Sequence, residues 1–271
     1  MIELQHVTFV HQNGVRALDD VSVRIESGET VAIVGENGAG KTTLVKHVTG
    51  LLKPASGTVL VDGKSTTEMT TAQLSRKVGV AFQNPDHQLF SESVDEEMSF
   101  ALRNFGFSPE VVVQRVTWGL ETFGLEEYRK SSPLVLSGGE KKRLTLACIL
   151  AWDPEVVILD EPTVGQDSIQ KEKLAQTIGM LGAAGKTVVV VSHDIEFLWP
   201  MQPRVIVMKA GKVVGDGPAP IVMQQKELLD SARVAEPQLV ALYQALATRP
   251  DSPFADALDA RRWVEGRRAA G

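Results

Sequence analysis

A glycine-rich segment near the N-terminus carries the clearest phosphate-binding chemistry in the chain. It follows an apolar run, residues 31–34, and matches G-x-x-x-x-G-K-[ST] at every fixed position. The glycines let successive N–H groups point at one anion, and the helix that follows adds its positive dipole end. We expect Lys41 to reach the outer phosphates and the Thr42 hydroxyl to bind Mg²⁺. We call this segment the P-loop, and its predicted nucleotide contacts are Gly35, Glu36, Asn37, Gly38, Ala39, Gly40, Lys41, Thr42 and Thr43.

A pair of acidic residues directly follows a later apolar run, residues 156–159. Asp160 and Glu161 stand there in the Walker B arrangement, an apolar strand that ends in Asp-Glu. Asp160 would belong to the Mg²⁺ shell, and Glu161 would orient and polarise an attacking water. An acidic turn after a strand is common, but the P-loop upstream favours the catalytic interpretation.

Residues 136–140 read Leu-Ser-Gly-Gly-Glu, and we call them the signature segment. Ser137 and Glu140 have the spacing of a capping box at the start of a helix. A cap does not explain two adjacent glycines, each of which costs a helix about 1 kcal/mol relative to alanine. Bare backbone here suits a phosphate that approaches the N–H groups closely. We therefore predict that Ser137, Gly138 and Gly139 form a second anion site, distinct from the P-loop.

The elements that must position these segments alternate between strand and helix patterns. The first third of the chain alternates apolar and polar residues like antiparallel sheet. Compact apolar runs at residues 78–82, 156–159 and 188–191 are typical of buried strands in a mainly parallel sheet. Between them, residues 85–154 are largely helical in pattern, with a helix start at Ser108-Pro109. The sequence therefore predicts an α/β nucleotide-binding core with a helical insert.

Composition places the chain among ordinary globular proteins. Its 271 residues are 43% hydrophobic and 23% charged, and no run approaches the roughly 18 apolar residues of a membrane span. The N-terminus lacks the features of a signal peptide. A net charge of −6 argues against broad nucleic-acid binding, and the single Cys148 suits a reducing compartment. We expect a cytoplasmic protein that could dock beneath a membrane.

Taken in order, these motifs resemble the ATPase subunit of an ABC transporter. The resemblance covers residues 1–216 and adds Gln83 and the Ser-His-Asp segment around His193. It implies a P-loop NTPase (RecA-like) core with an antiparallel β subdomain and a helical ABC subdomain at about 86–154. It also implies that residues 217–271 form a C-terminal helical extension.

The resemblance further implies roles that spacing alone does not assign. Gln83 would contact Mg²⁺ and the lytic water and sense the membrane partner, while His193 would contact the γ-phosphate. The signature segment would close over ATP bound by a second ATPase subunit, which is the same or a related chain. The cofactors would be ATP and Mg²⁺. The implied catalytic set is Glu161, His193 and Gln83, and the implied metal set is Thr42, Gln83 and Asp160.

Residues 82–90, Phe-Gln-Asn-Pro-Asp-His-Gln-Leu-Phe, are similar to the ATPases of energy-coupling-factor importers of cobalt, nickel and vitamins. This resemblance implies a membrane-spanning coupling subunit and a substrate-binding membrane subunit as partners. The ATPase would then lie on the inner face of the cell membrane, without nucleic acid. Two alternatives are a soluble ABC ATPase of translation or DNA repair and a P-loop small-molecule kinase. The first usually has tandem cassettes or long coiled-coil insertions, and the second has no need of a signature segment.

Three residues depart from the family pattern. His11 stands where an aromatic residue, usually Tyr, stacks on adenine, and we expect it to make that contact. Glu140 stands where Gln is common and adds a negative charge near the phosphates. Gln166 replaces a frequent Leu in the loop after Walker B, whereas Asp167 keeps its place. A subunit contact at Asp167 is therefore still expected.

Overall fold

The computed structural model describes residues 1–246 and 253–270, which fold into two sheets surrounded by helices. The strands are β1 (Ile2–Val10), β2 (Arg16–Ile25), β3 (Thr30–Val34), β4 (Ser56–Val61), β5 (Lys64–Ser65), β6 (Val78–Ala81), β7 (Val156–Asp160), β8 (Thr187–Val191), β9 (Arg204–Lys209) and β10 (Lys212–Pro218). The helices are α1 (Lys41–Val48), α2 (Thr71–Lys77), α3 (Val94–Asn104), α4 (Pro109–Phe123), α5 (Gly138–Ala151), α6 (Ser168–Ala183), α7 (Ile195–Leu198), α8 (Ala219–Val222), α9 (Lys226–Ser231), α10 (Gln238–Ala245) and α11 (Ala257–Ala270).

The smaller sheet is antiparallel, in the order β2-β1-β4-β5. Ile2 of β1 lies opposite Ile25 of β2 and Val61 of β4, and all three side chains are buried. This face of the sheet covers the same apolar cluster as helix α1. The alternating pattern at the start of the chain arises because one face of the sheet packs inward.

The larger sheet has the order β10-β9-β3-β8-β7-β6, and only its edge strand β10 runs antiparallel. Every residue of β7 and β8 is buried, which explains why these strands read as continuous apolar runs. Parallel strands place their carboxyl ends on one edge of a sheet. The P-loop, Gln83, Asp160 and His193 follow or end β3, β6, β7 and β8, so topology brings them to this edge.

Helices α3, α4 and α5 enclose a separate apolar cluster, to which each contributes buried side chains. Ser108 caps α4 with Pro109 at the first helical position, as the sequence predicts. Ser93 caps α3 by accepting a hydrogen bond from the N–H of Glu96 at 3.2 Å. This helical unit carries the signature segment at the start of α5.

The C-terminal helices share a core with the larger sheet. Leu229, Ala232 and Val240 are buried in the same apolar cluster as Val34. Strand β10 continues to Pro218, so the domain boundary that we predict between 216 and 217 falls within its last residues. That division stays a prediction, and residues 247–252 and 271 of the predicted extension lie outside the described residues. None of the helices described is both long and apolar enough to cross a membrane.

Candidate active site

A cavity of about 390 Å³ lies at the carboxyl edge of the larger sheet. Two lining residues, Val15 and Ala17, were not predicted, and the rest were. Because these side chains come from five separate parts of the chain, the fold assembles a single site from them. The lining residues are His11, Val15, Ala17, Asn37, Gly38, Gly40, Lys41, Thr42, Thr43, Gln83, Glu161 and His193.

The P-loop glycines are held by close contact with neighbouring backbone. A Cβ on Gly35 would lie 2.2 Å from the carbonyl oxygen of Met208, and one on Gly40 would lie 2.3 Å from that of Ala17. Both residues also have φ in the region that favours glycine, +148° and +103°. Gly38 has a φ of +85° but open space around it. The fold itself therefore requires two of these glycines, apart from any ligand.

Lys41 begins helix α1, and its ammonium lies inside the loop. Its Nζ donates to the carbonyl oxygens of Gly35 at 2.8 Å and Glu36 at 3.0 Å. Burial lowers the pKa of Lys41, and the nearby carboxylates of Glu161 and Asp160 oppose that shift. The positive charge is thus fixed where an anion would meet the loop amides.

Asp160 and Thr42 form the part of the site that could hold a cation. The Thr42 hydroxyl donates to Asp160 Oδ2 at 2.9 Å. Asp160 Oδ1 is buried and has no hydrogen-bond partner among the described residues. Burial, together with the charge of Glu161, raises the pKa of Asp160. A buried carboxylate oxygen without a partner is costly, and a hard divalent cation would satisfy it. The residues present therefore fit Mg²⁺.

Glu161 adopts a strained backbone conformation at the end of β7. Its φ is +51°, a left-handed value that costs a non-glycine residue on the order of 1 kcal/mol. The Glu161 N–H donates to the carbonyl of Val191 at 2.7 Å, which ties the turn to β8. Its Oε2 lies 2.7 Å from His193 Nδ1. Two of the three predicted catalytic side chains, Glu161 and His193, are therefore in direct contact.

The loop that carries Gln83 is braced by a residue that sequence analysis missed. Gln88 Oε1 accepts from the N–H of Phe82 at 2.8 Å, and its Nε2 donates to the carbonyl of Val80 at 2.8 Å. Gln83 itself is exposed at the cavity mouth. The only sequence signal for Gln88 is its place in the segment 82–90.

The signature segment begins α5 with the predicted capping box. Ser137 Oγ accepts from the N–H of Glu140 at 3.3 Å, and Glu140 Oε2 accepts from the N–H of Ser137 at 2.7 Å. Hydrogen bonds from Ser137 lower the pKa of Glu140, so the cap stabilises the negative charge of this carboxylate. A Cβ on Gly138 or Gly139 would meet nothing within 4 Å. Among the residues described, 137–139 do not line the 390 Å³ cavity.

Lys142 links the signature helix to the Walker B turn, a contact without a clear sequence signal. Its Nζ lies 3.4 Å from the carbonyl oxygen of Glu161 and 3.3 Å from that of Pro162, and burial lowers its pKa. The Lys142 contacts couple the position of α5 to the turn that holds Glu161.

Asp167 lies at the start of α6. Its side chain caps this helix by accepting a hydrogen bond from the N–H of Gln170 at 2.8 Å.

Comparison with known proteins settles the family. A family model described as ABC transporter matches residues 18–164. The chain belongs to this family. The ABC ATPase is 38% identical to the energy-coupling factor transporter ATP-binding protein EcfA of Methanothermobacter thermautotrophicus, over 91% of this chain and 80% of the relative.

Two solved structures resemble this chain closely. CbiO1 of Clostridium perfringens, described as part of the ABC transporter complex CbiONQ, is 33% identical and aligns with a TM-score of 0.74. The alignment covers 90% of this chain and 98% of CbiO1. The ATP-binding cassette MJ0796, solved as a post-hydrolysis dimer bound to ADP and Pi, is 32% identical with a TM-score of 0.74, over 80% and 98% of the two chains. The predicted P-loop NTPase fold is confirmed.

Proposed function

We propose that the ABC ATPase is the ATP-hydrolysing subunit of an energy-coupling-factor importer, which powers uptake of a vitamin or transition-metal ion. The observation that carries this proposal is the cavity lined by Lys41, Thr42 and Glu161, with Asp160 hydrogen-bonded to Thr42. The transport role is supported by the names of the EcfA relative and of CbiO1. These names do not favour a soluble ABC ATPase of translation or DNA repair.

In this proposal the P-loop binds the phosphates of ATP through its backbone amides and the Lys41 ammonium. His11 lies edge-on to Phe9, with ring centroids 5.0 Å apart, and supplies the adenine contact. Thr42, Asp160 and Gln83 would hold Mg²⁺. When bound, this ion neutralises charge on the phosphates during transfer.

Hydrolysis in this proposal depends on Glu161 and His193. Water attacks the γ-phosphorus in line with the bond to ADP, and Glu161 orients that water and accepts its hydrogen bond. Because His193 Nδ1 is engaged by Glu161, the ring has Nε2 left for the γ-phosphate. Lys41 and the loop amides stabilise the charge that develops on the transferred group.

The second anion site acts between subunits in this proposal. Ser137 and Gly138 are exposed, and the glycines have open space. We infer that these residues and Gly139 close over ATP held by the P-loop of a second ATPase subunit, the same or a related chain. The dimeric MJ0796 cassette supports this arrangement. ATP favours the closed dimer because contacts on both sides of the phosphates exist only there.

The membrane partners would dock beside the Gln83 loop. Phe90 and Phe100 are 63% and 49% exposed, and their rings meet edge-to-face at 4.8 Å. We propose that the coupling subunit covers them, with a substrate-binding membrane subunit beyond it. The ATPase would then be cytoplasmic and peripheral, with a cassette domain at 1–216, a helical subdomain at about 86–154 and an extension at 217–271.

Affinity purification from detergent-solubilised membranes tests this function. The full tagged chain is expected to recover integral membrane proteins and a bound small molecule. The Phe90→Ser variant should lose most of that recovery, whereas Met180→Ser, which alters an equally exposed apolar residue on α6, should keep it. Recovery of ribosomes or DNA-repair proteins in place of membrane subunits would contradict the proposal.

A further inference from the structure

We propose that Arg233 of the C-terminal helices is a positioning residue for nucleotide phosphate, because it holds and neutralises Glu36 of the P-loop. The proposal rests on the proposed function, since it takes the P-loop cavity as the ATP site. It gives the region after the cassette core a direct effect on nucleotide affinity.

The turn after α9 contacts the P-loop at two points. The N–H of Glu36 donates to the carbonyl oxygen of Ala232 at 3.1 Å. Arg233 Nη1 lies 3.1 Å from Glu36 Oε2. Ala232 is fully buried in the apolar cluster that contains Val34, the last residue before the loop. The contact therefore joins the first turn of the P-loop to a rigid part of the fold.

The backbone of Arg233 points to a role for its side chain. Its φ is +52°, and the N–H of Val234 donates to the carbonyl of Leu229 at 2.9 Å, as in a Schellman helix end. Glycine usually occupies the left-handed position of this motif because a side chain there is strained. The turn itself does not require arginine. The ion pair with Glu36 accounts for an arginine at this position.

Charge explains why this ion pair should affect phosphate binding. Glu36 places a carboxylate in the loop whose amides and Lys41 would hold a triphosphate, and like charges repel. Arg233 neutralises that carboxylate. The Arg233 side chain is 80% exposed, and exposed ion pairs contribute little to folding. Loss of Arg233 should therefore weaken phosphate binding far more than it weakens the fold.

The test is a charge-removal cycle on the full chain, read out as dissociation constants for ATP and ADP with fluorescent analogues. Arg233→Gln should weaken ATP binding about fivefold at low salt and less at high salt. Glu36→Gln should bind at least as tightly as wild type. The double variant Glu36→Gln/Arg233→Gln should return to within about twofold of wild type. Arg261→Gln, which breaks an exposed ion pair with Glu265 on α11, is the matched control and should change nothing.

Rescue by the second substitution separates a charge effect from a structural one. Unchanged affinity in Arg233→Gln, or a double variant as weak as the single one, would overturn the role of Arg233. Failure of the wild-type chain to bind ATP at all would instead overturn the proposed function. A melting temperature in Arg233→Gln close to that of wild type supports the assignment to binding, and unfolding of this variant contradicts it.

Discussion

The P-loop and the signature segment are both glycine-rich helix starts, yet the chain treats them in opposite ways. Gly35 and Gly40 of the P-loop lie against other backbone, where a Cβ would collide at 2.2 Å and 2.3 Å. A Cβ on Gly138 or Gly139 of the signature segment would have no neighbour within 4 Å. The first pair is required by the fold. Contacts within the described part of the chain do not require the second pair.

The two regions also differ in how their polar groups are satisfied. The P-loop side contains a buried carboxylate oxygen of Asp160 without a partner among the described residues, and a strained backbone at Glu161. In the signature segment, the capping box satisfies the N–H groups of Ser137 and Glu140. A buried polar atom without a partner in the described structure and a strained backbone are therefore features of the P-loop side, and the capping box is the corresponding feature of the signature segment.

The largest expected effect comes from a substitution that disrupts only the P-loop side of the site. Glu161→Gln should lower ATP turnover by about 100-fold or more, because a positioned base contributes at least that factor. ATP-bound dimer should accumulate, since binding remains while hydrolysis stops. Phosphate release and light scattering after gel filtration measure these two effects. Glu172→Gln, an exposed carboxylate on α6, is the control, and wild-type turnover in Glu161→Gln would refute the assigned role.

A matched pair of glycine substitutions sharpens the comparison. Gly139→Ala should lower turnover roughly 10- to 100-fold through misplaced phosphate contacts, while the melting temperature stays the same or rises, because alanine favours a helix over glycine. Gly40→Ala should lower the melting temperature by at least about 2 °C, because overpacking against Ala17 costs about 1–3 kcal/mol. Differential scanning calorimetry and phosphate release give both readouts. Equal loss of stability in the two variants would remove the distinction between the regions.

Asp160→Asn should raise the stability of the fold and weaken Mg²⁺-dependent nucleotide binding. The substitution removes a buried charge next to Glu161, so the melting temperature should rise by a few degrees. The Mg²⁺-dependent part of nucleotide affinity should be largely lost, because a neutral amide binds a hard cation poorly. Binding of a fluorescent ATP analogue with and without Mg²⁺ measures this loss. Full retention of the Mg²⁺ effect would place the cation elsewhere.

The smallest effect concerns acid stability and compares Asp160 with a carboxylate remote from the site. Burial alone would raise the pKa of Asp62, but hydrogen bonds from Lys77 and the N-terminal amine outweigh it, so the pKa is lowered. A lowered pKa stabilises the fold above the unfolded value, and this stabilisation is lost as pH falls through the folded pKa. Asp62→Asn should therefore be less stable than wild type at neutral pH, and the difference should vanish in acid.

The raised pKa of Asp160 has the opposite sign. Its charge destabilises the fold at neutral pH, and protonation relieves this as pH falls through the raised value. Asp160→Asn should therefore lose its stability advantage over wild type in acid. Denaturant unfolding across a range of pH values measures both differences. If Asp62→Asn and Asp160→Asn changed the stability at neutral pH in the same direction, the contrast between a structural carboxylate and a carboxylate of the site would be contradicted.

Much of this fold could be predicted because local patterns and burial agree. The runs at 156–159 and 188–191 lie in strands buried on both faces, and residues 78–80 of the run at 78–82 are buried in β6, so apolar composition alone marks them. The parallel topology then places the residues that follow these strands on one edge. The motifs of Lys41 and Glu161 could therefore be placed at one site from the sequence, and the family resemblance added His193.

Contacts between distant segments could not be predicted from such patterns. Lys142 contacts the Walker B turn and Arg233 contacts the P-loop, in each case across a long stretch of chain. The sequence around each residue contains no pattern that predicts its contact. Helix α2 is short and contains a single buried residue, Leu74, so it has little apolar periodicity. Where a contact or an element depends on packing against distant segments, the local sequence carries too little information to predict it.

Mixing two inactive variants tests most directly whether the site is shared between chains. Lys41→Ala disables the P-loop and leaves the signature segment intact, while Gly139→Asp does the reverse. Each alone should be inactive, but a mixture should regain about one quarter of wild-type turnover, since half of the dimers are mixed and each carries one intact site. A mixture that stays as inactive as its parts, with mixed dimers present, would contradict a site built from two polypeptides.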